Sequence, residues 1–272
     1  MLTARGGPGK YESSSRSCYT ARAMRSITVL NRDIVHCTAC PRLVAYRESI
    51  ARTKRRQFIE ETYWGRPIPG FGDPQAQLYV LGLAPAAHGG NRTGRVFTGD
   101  RSGDWLYEAL HRFGFASQAA STHRDDGLVL TDCYIGATVR CAPPDNKPLQ
   151  DEFAHCQSFL LEEIRLLTQM RVMVALGKIA FDHYLKACQT AGFTKPSPAP
   201  KFGHGVAYAL PWGITLLGSY HPSQQNTFTG KLTRPMFHSV FAKARAELEK
   251  PPAPLHSTLT SSPEPPNRPK TS

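Results

Sequence analysis

Four cysteines are spaced as ligands of a metal ion or of an inorganic cluster. Cys37 and Cys40 form a C-x-x-C pair, and Cys141 and Cys156 follow far downstream. C-x-x-C pairs serve both redox chemistry and zinc binding, and four thiolates suit either zinc or an iron–sulfur cluster. The spacing predicts a four-cysteine site that fastens the N-terminal helix to the middle of the fold. The alternative is a set of buried cysteines without a ligand.

Two loops contain residues that could bind a planar ligand. The segment Gly82-Leu83-Ala84-Pro85-Ala86 has small side chains after a predicted strand, so a ligand could approach its backbone closely. Residues 91–103 combine one aromatic side chain, Phe97, with arginines, an acid and glycines. A Phe between flexible glycine segments can stack on a nucleobase. The alternative is that Phe97 folds back into the core.

A third loop, His221-Pro222-Ser223-Gln224-Gln225-Asn226, follows another predicted strand. A histidine held by the rigid proline could donate a hydrogen bond to negative charge that develops on a substrate. The alternative is a structural histidine with satisfied hydrogen bonds, which is what we expect of His88, His204 and His238.

These loops join elements whose pattern alternates along the chain. Short apolar segments predict strands at 77–81, 129–139, 171–176, 206–210 and 214–219. Apolar residues at helical spacing predict helices at 31–53 (interrupted near Pro41), 102–113, 149–167, 178–187 and 234–250. This alternation favours an α/β fold with a parallel sheet covered on both faces. Ligands of such sheets bind beyond the carboxyl ends of the strands, where the loops lie.

The chain predicts one domain, residues 31–250, between two extensions. Residues 1–30 are expected to be a disordered or transit-like extension, and residues 251–272, with seven prolines, a disordered tail. Residues 1–26 are rich in Arg and Ser and nearly free of acids, as in an organellar transit peptide. A true start at Met24 would give the same appearance.

Composition limits the partner and the compartment. The chain of 272 residues has 33 Lys and Arg against 21 Asp and Glu, a net charge of +12, which favours a nucleic acid as partner. Apolar runs such as Val172–Leu176 are far shorter than the roughly 20 residues of a membrane span. Seven scattered cysteines without an apolar signal peptide indicate a reducing compartment.

Taken together, the motifs resemble those of the family 5 uracil-DNA glycosylases. The resemblance runs from about Asp33 to Lys243, and its motifs occur in one order: Cys37-x-x-Cys40, residues 82–86, Gly94-Arg95-Val96-Phe97-Thr98-Gly99, residues 139–148, Cys156 and residues 221–226. Each motif alone is weak, whereas the ordered set is specific.

The resemblance implies a fold, a cofactor and an activity. The fold would be a three-layer α/β/α sandwich around a four-stranded parallel sheet. The four cysteines would hold a structural 4Fe-4S cluster. The activity would be monofunctional base excision repair, in which the N-glycosidic bond of uracil, hypoxanthine or xanthine in single- or double-stranded DNA is hydrolysed after the base is extruded from the stack.

The resemblance also implies how the protein works in the cell. We expect a monomer in the cytoplasm, at a bacterial or archaeal nucleoid, with no membrane partner, and organellar import is left open. The alternative function is a catalytically weak module that binds damaged DNA and carries a structural metal site.

The resemblance assigns roles to individual residues. Phe97 would stack on the extruded base, and Asn226 would face the extrahelical strand. The base would be contacted by the segment after the first strand, through Gly82, Leu83, Ala84 and Ala86. The candidate catalytic residues are His221, which would stabilise the departing anionic base, Asn146, which would contact its polar edge, and Asp100.

The resemblance to family 5 does not assign the residue that positions water, because that family also has no carboxylate or amide just after the first strand. Other families of these enzymes have an Asp or Asn just after the first strand, but residues 84–87 here are Ala-Pro-Ala-Ala. Asp100 is the nearest carboxylate in a motif and is therefore the candidate for positioning water. The alternative is that Asp100 is only the acid at the N-terminus of a helix.

Overall fold

The computed structural model describes residues 26–251. Cys18 and nearly all of the two predicted extensions, 1–30 and 251–272, lie outside the described residues. The first helix begins at Ile27, where the Ser26 hydroxyl accepts a hydrogen bond from the Val29 N–H at 3.3 Å. This helix begins before residue 31, the first residue of the predicted domain.

Helices and strands alternate through this range. The helices are α1 (Ile27–Val35), α2 (Pro41–Thr53), α3 (Gly90–Thr93), α4 (Arg101–Arg112), α5 (Gln150–Leu166), α6 (Lys178–Thr190), α7 (Gln224–Phe228) and α8 (Arg234–Glu249). The strands are β1 (Phe71–Gly72), β2 (Leu78–Gly82), β3 (Cys133–Ala137), β4 (Val172–Leu176), β5 (Ala207–Ala209) and β6 (Thr215–Ser219). Two 3-10 turns lie at Arg56–Phe58 and Pro144–Asn146.

The strands form one mixed sheet in the order β1-β3-β2-β4-β6-β5. The four central strands are parallel, as predicted. The two edge strands pair antiparallel with their neighbours and extend the sheet to six strands. The predicted parallel sheet is thus confirmed as the centre of a wider sheet.

Side chains alternate between the two faces of the sheet, and each face is covered by helices. In β2, Leu78 and Val80 pack with α4 and α8, whereas Tyr79 and Leu81 pack on the opposite face with α5 and α6. All five residues of β2 are buried, which explains why such strands read as continuous apolar runs. The three-layer α/β/α arrangement is confirmed.

The predicted N-terminal helix is in fact two helices. The first ends at Val35, and Pro41 is the first residue of the second. Proline suits this position because its fixed φ fits a helix and its missing N–H would have had no intrahelical partner. The break places Cys37 in the connection and Cys40 at the cap of α2, so both thiols lie outside the regular part of the helices.

Across the part of the chain that the structure describes, no helix is long and apolar enough to cross a membrane.

Candidate active site

A cavity of about 550 Å³ opens beyond the carboxyl ends of β2, β3 and β6. Its volume lies within the range of about 300–1,000 Å³ that is typical of small-molecule sites. It is lined by residues from three loops, the start of α4, the end of β3 and the 3-10 turn at Pro144–Asn146: Leu83, Ala84, Pro85, Ala86, Val96, Phe97, Asp100, Arg101, Ser102, Ala137, Asn146, His221, Ser223, Gln224 and Gln225. The three loops singled out from the sequence therefore meet in one cavity.

The backbone of Phe97 is held in an unusual conformation. Its φ is 50°, in the left-handed region that costs a bulky residue about 1–3 kcal/mol. A Cβ on Gly103 would lie 1.8 Å from the Phe97 carbonyl oxygen, and a Cβ on Gly82 would lie 2.6 Å from the Phe97 ring. The two glycines thus let α4 and β2 pack directly against Phe97. Gly82, predicted to bind substrate, lies under the ring instead and is absent from the cavity lining.

A buried ion pair anchors the loop that carries Phe97. Arg95 donates to the Asp126 carboxylate at 2.6 Å, and the two side chains are 3% and 6% exposed. The same guanidinium also donates to Thr98 Oγ1 at 3.0 Å and to Ser121 Oγ at 2.6 Å. Burial by itself would raise the pKa of Asp126. The hydrogen bonds from Arg95 and from backbone N–H groups outweigh this effect and lower the pKa to about 2.

His221 lies across the cavity from Phe97. The ring centroids are 5.8 Å apart with an interplanar angle of 30°. Burial lowers the pKa of His221 to about 4, and no neighbouring charge contributes to this shift. His221 is therefore neutral at pH 7, with one ring nitrogen available as donor and the other as acceptor.

Asn226 holds the backbone of His221 in place. Its side-chain Nδ2 donates to the backbone carbonyl of His221 at 2.9 Å, and its backbone N–H donates to Ser223 Oγ at 3.4 Å. Asn226 is not among the residues that line the cavity. The structure therefore places it as a residue that holds the histidine loop, and its predicted contact with the extrahelical strand stays a prediction.

His204 fixes the residue that precedes His221. Its Nδ1 accepts a hydrogen bond from the Tyr220 N–H at 3.1 Å, and its ring stacks on that of Tyr220 at 5.1 Å. Because Nδ1 accepts, the proton lies on Nε2, which donates to the Met236 carbonyl at 3.2 Å. Both nitrogens are satisfied, as expected for a structural histidine.

Asp100 combines two positions that the sequence left as alternatives. It is the N-terminal cap of α4, where Oδ1 accepts from the Gly103 N–H at 3.0 Å. It also lines the cavity. Burial raises the pKa of Asp100, and the hydrogen bonds of the cap oppose this effect.

Asn146 stands at the mouth of the cavity with an exposed side chain. Asn146 and Asp145 have φ values of 55° and 53°, so the turn after Cys141 bends sharply. Ala84 and Ala86, from the opposite loop, line the same cavity.

Sequence reasoning missed how two side chains support the site. Asp126 lies in a polar loop without any motif, although its partner Arg95 lies inside a recognised one. His204 was predicted as a structural histidine, but nothing in its sequence context showed that it binds Tyr220. Each acts through a contact between segments far apart in the chain, which spacing alone does not reveal.

The four predicted cysteine ligands come together below the cavity. Cys40, Cys141 and Cys156 are buried in one small cluster with Leu43 and Phe153, and Cys37 is half-buried. Burial is the main cause that raises the pKa of each of the three buried thiols to about 11, and the proximity of other members of the set contributes to this rise. The four thiols thus lie within electrostatic range of one another.

Two buried arginines accompany these thiols. Arg47 is 4% exposed and donates from Nη1 to Cys141 Sγ at 2.9 Å. Arg140, 1% exposed, lowers the pKa of Cys156 by its charge and through a backbone hydrogen bond. Nε of both arginines and Nη1 of Arg140 have no hydrogen-bond partner among the described residues. Within residues 26–251, no three His, Cys, Asp or Glu side chains are arranged to hold a metal ion.

Comparisons with known proteins identify the family of the chain. The model of the Uracil DNA glycosylase superfamily matches residues 69–246. A type-5 uracil-DNA glycosylase of Mycobacterium tuberculosis is 51% identical over 221 residues, which are 81% of each chain. One of Thermus thermophilus is 51% identical over 77% of this chain and 92% of its own. One of Pyrobaculum aerophilum is 43% identical over 79% of this chain and 90% of its own. The chain therefore belongs to the type-5 branch of the uracil DNA glycosylase superfamily.

Proposed function

We propose that this protein removes uracil and other deaminated bases from DNA by hydrolysing the N-glycosidic bond of an extruded nucleotide. The observation that carries the proposal is the cavity in which a half-buried, neutral His221 faces the ring of Phe97 at 5.8 Å. A base inside a duplex is unreachable, so extrusion into a pocket must precede chemistry. A cavity of about 550 Å³ has room for a pyrimidine or a purine, which supports hypoxanthine and xanthine as further substrates.

His221 would stabilise the leaving group. Cleavage of the bond leaves a cationic sugar and an anionic base, so a donor aimed at the base favours the transition state over the ground state. A neutral imidazole keeps its N–H without the desolvation cost of a buried cation. The hydrogen bond from Asn226 to the His221 carbonyl would keep the ring in place during this step.

Asp100 and Asn146 would position the attacking water. Residues 84–87 supply no carboxylate or side-chain amide, whereas these two side chains both reach the cavity. Asp100 uses one oxygen for the cap of α4, and the other remains available to accept from water. The exposed amide of Asn146 can both donate and accept.

We propose that Cys37, Cys40, Cys141 and Cys156 hold a 4Fe-4S cluster. The support is the donor set itself and the orphaned N–H groups of the two arginines. Arg140 is paired with Glu163, whereas Arg47 is a buried cation that has no carboxylate partner among the described residues and needs compensating negative charge. Four thiolates would provide that charge. When bound, the cluster would supply a structural cross-link between α2, α5 and the segment after β3, with no redox step in base removal.

DNA is the partner that this function requires. The net charge of +12 favours association with phosphates. The cavity and the four cysteines all come from one chain, and we infer that the protein acts as a monomer.

A base-release panel tests the proposal. Purified protein is incubated with single- and double-stranded oligonucleotides that carry uracil, hypoxanthine or xanthine, and abasic sites are measured. We expect release of uracil, which His221→Ala strongly reduces while binding of the oligonucleotide changes little. Tight binding of the lesion without release would favour the alternative, a damaged-DNA-binding module.

A further inference from the structure

A second cavity, of about 470 Å³, adjoins the base cavity. Residues that line both cavities form the shared wall: Ala86, Asp100, Arg101, Asn146 and Gln224. The remaining wall comes from α2 through Tyr46, from the 3-10 turn through Phe58, and from the loop before α3 through His88. A DNA strand that leaves the base cavity across this wall would enter the second cavity directly.

His88 presents a neutral hydrogen-bond donor in this second cavity. The Tyr63 hydroxyl accepts from the Arg55 N–H at 3.4 Å and lies 3.0 Å from His88 Nδ1, to which it can donate its own proton. In that arrangement the ring proton lies on Nε2, which has no partner among the described residues. Burial lowers the pKa of His88, and the nearby charges of Arg55 and Arg92 lower it further, so the ring remains neutral at pH 7.

Two guanidinium groups line the same cavity without a carboxylate partner in the described part of the chain. Arg55 is exposed at the end of α2, and Arg101 lies over the ring of Phe228 at 4.5 Å. The acids of the cavity are Asp100, which caps α4, and Asp145 at the exposed rim. A group with several acceptor oxygens and negative charge would satisfy these donors.

We propose that the second cavity binds the phosphodiester and nucleotide next to the extruded one. Arg55, Arg101 and His88 would hold the phosphate, and Tyr46 would lie beside the attached sugar and base. This inference rests on the proposed function and adds to it a subsite for the strand backbone. Contacts of this kind fix register and orientation and carry no sequence information, so the subsite would act equally on every sequence that flanks the damaged base.

The test combines a change in the DNA with a change in the protein. Uracil-containing single-stranded oligonucleotides carry an uncharged methylphosphonate in place of one phosphate at a time, on either side of the uracil. With wild-type protein, kcat/KM should fall about 10-fold when the phosphate that occupies the subsite is neutralised. Neutralising phosphates further from the uracil should have little effect.

Arg55→Gln should lower kcat/KM about 10-fold on the all-phosphate oligonucleotide. On the oligonucleotide whose subsite phosphate is replaced by methylphosphonate, the same substitution should lower kcat/KM less than about 2-fold, since the two changes remove the same interaction. Arg55→Lys, which keeps the charge, should recover part of the loss. Arg55→Gln should also reduce the slope of log affinity against log salt by about 0.7. The matched control is Arg165→Gln on exposed α5, whose partner is Glu162 within the same helix, and it should leave the methylphosphonate profile unchanged.

The outcomes separate the two proposals. If wild-type protein releases no uracil from the all-phosphate oligonucleotide, the proposed function fails. If it releases uracil but no single flanking methylphosphonate lowers kcat/KM, the phosphate subsite is wrong while the proposed function stands. The same holds if Arg55→Gln lowers kcat/KM by an equal factor on both oligonucleotides.

Discussion

The buried pair of Arg95 and Asp126 gives the most quantitative prediction. Replacing Asp126 by Asn removes the negative charge and keeps nearly the same shape. The ion pair and the backbone N–H groups lower the pKa of Asp126 from its ordinary 3.8 to about 2. At about 1.36 kcal/mol per pKa unit, this corresponds to roughly 2.5 kcal/mol of stability at neutral pH. Because Arg95 would remain buried without its counter-charge, the total loss should reach about 3–5 kcal/mol.

The same pair should affect catalysis, since Arg95 stands two residues before Phe97 and also holds Thr98. A freed loop would let the Phe97 ring leave its place opposite His221. Misplacement of a positioning group by about 1 Å can cost up to about 100-fold in rate. We therefore expect Asp126→Asn to lower kcat for uracil release by roughly 10- to 100-fold at a temperature where the variant is still folded.

Urea unfolding of the wild-type protein and of Asp126→Asn, at pH 7 and at lower pH, measures the change in the free energy of unfolding. The folded pKa of Asp126 is depressed, so its contribution is present above pH 3.8 and is lost as pH falls through about 2. The control is Asp125→Asn, at a neighbouring carboxylate that is 81% exposed and 3.6 Å from Arg124, which should change stability by less than about 0.5 kcal/mol. Equal effects of the two substitutions, or a stable Asp126→Asn protein with normal kcat, would refute this reasoning.

Three further predictions concern the cavity and the cysteines. His221→Ala should lower kcat about 100- to 1,000-fold in single-turnover assays. Because burial lowers the pKa of His221 to about 4, the activity of the wild-type protein should decline near pH 4 as the solution is acidified. A decline centred near pH 6.5 would contradict a neutral His221 ring. Gly82→Ala should lower kcat by displacing the Phe97 ring, since the added Cβ would lie 2.6 Å from it; unchanged kcat would show that the ring position is unimportant. Cys141→Ser should abolish the brown colour and the absorbance near 400 nm that are expected of an iron–sulfur protein. The control is Cys188→Ser, at a cysteine in the core on one face of the sheet, which should keep both. Equal absorbance in the two variants would remove Cys141 from the ligand set.

The sequence predicted the long elements well because their signals are local. The buried strand Val172–Leu176 and the helix Arg234–Glu249 each differ from the prediction by a single residue at one end. The missed elements are short: β1 has two residues, α3 has four and α7 has five. A stretch of this length spans too little of a helical or strand period to leave a pattern, and tertiary contacts decide its conformation.

For the site, the sequence predicted which loops meet but not how each side chain acts. Phe97 and His221 line one cavity because their loops follow β2 and β6, two parallel strands that lie on either side of β4. Gly82 packs against the Phe97 ring and Asn226 donates to the His221 carbonyl, whereas their predicted substrate contacts stay predictions. These supporting contacts depend on side-chain direction and packing between distant segments, which motif spacing does not encode.

The most direct measurement is a crystal structure with DNA that carries 2′-fluoro-deoxyuridine, in which the electronegative fluorine slows formation of the cationic sugar. We predict the extruded uracil against the face of Phe97, with one of its oxygens within hydrogen-bond distance of the His221 ring. Uracil bound in any other part of the molecule, or left stacked in the DNA with this cavity vacant, would contradict the central claim.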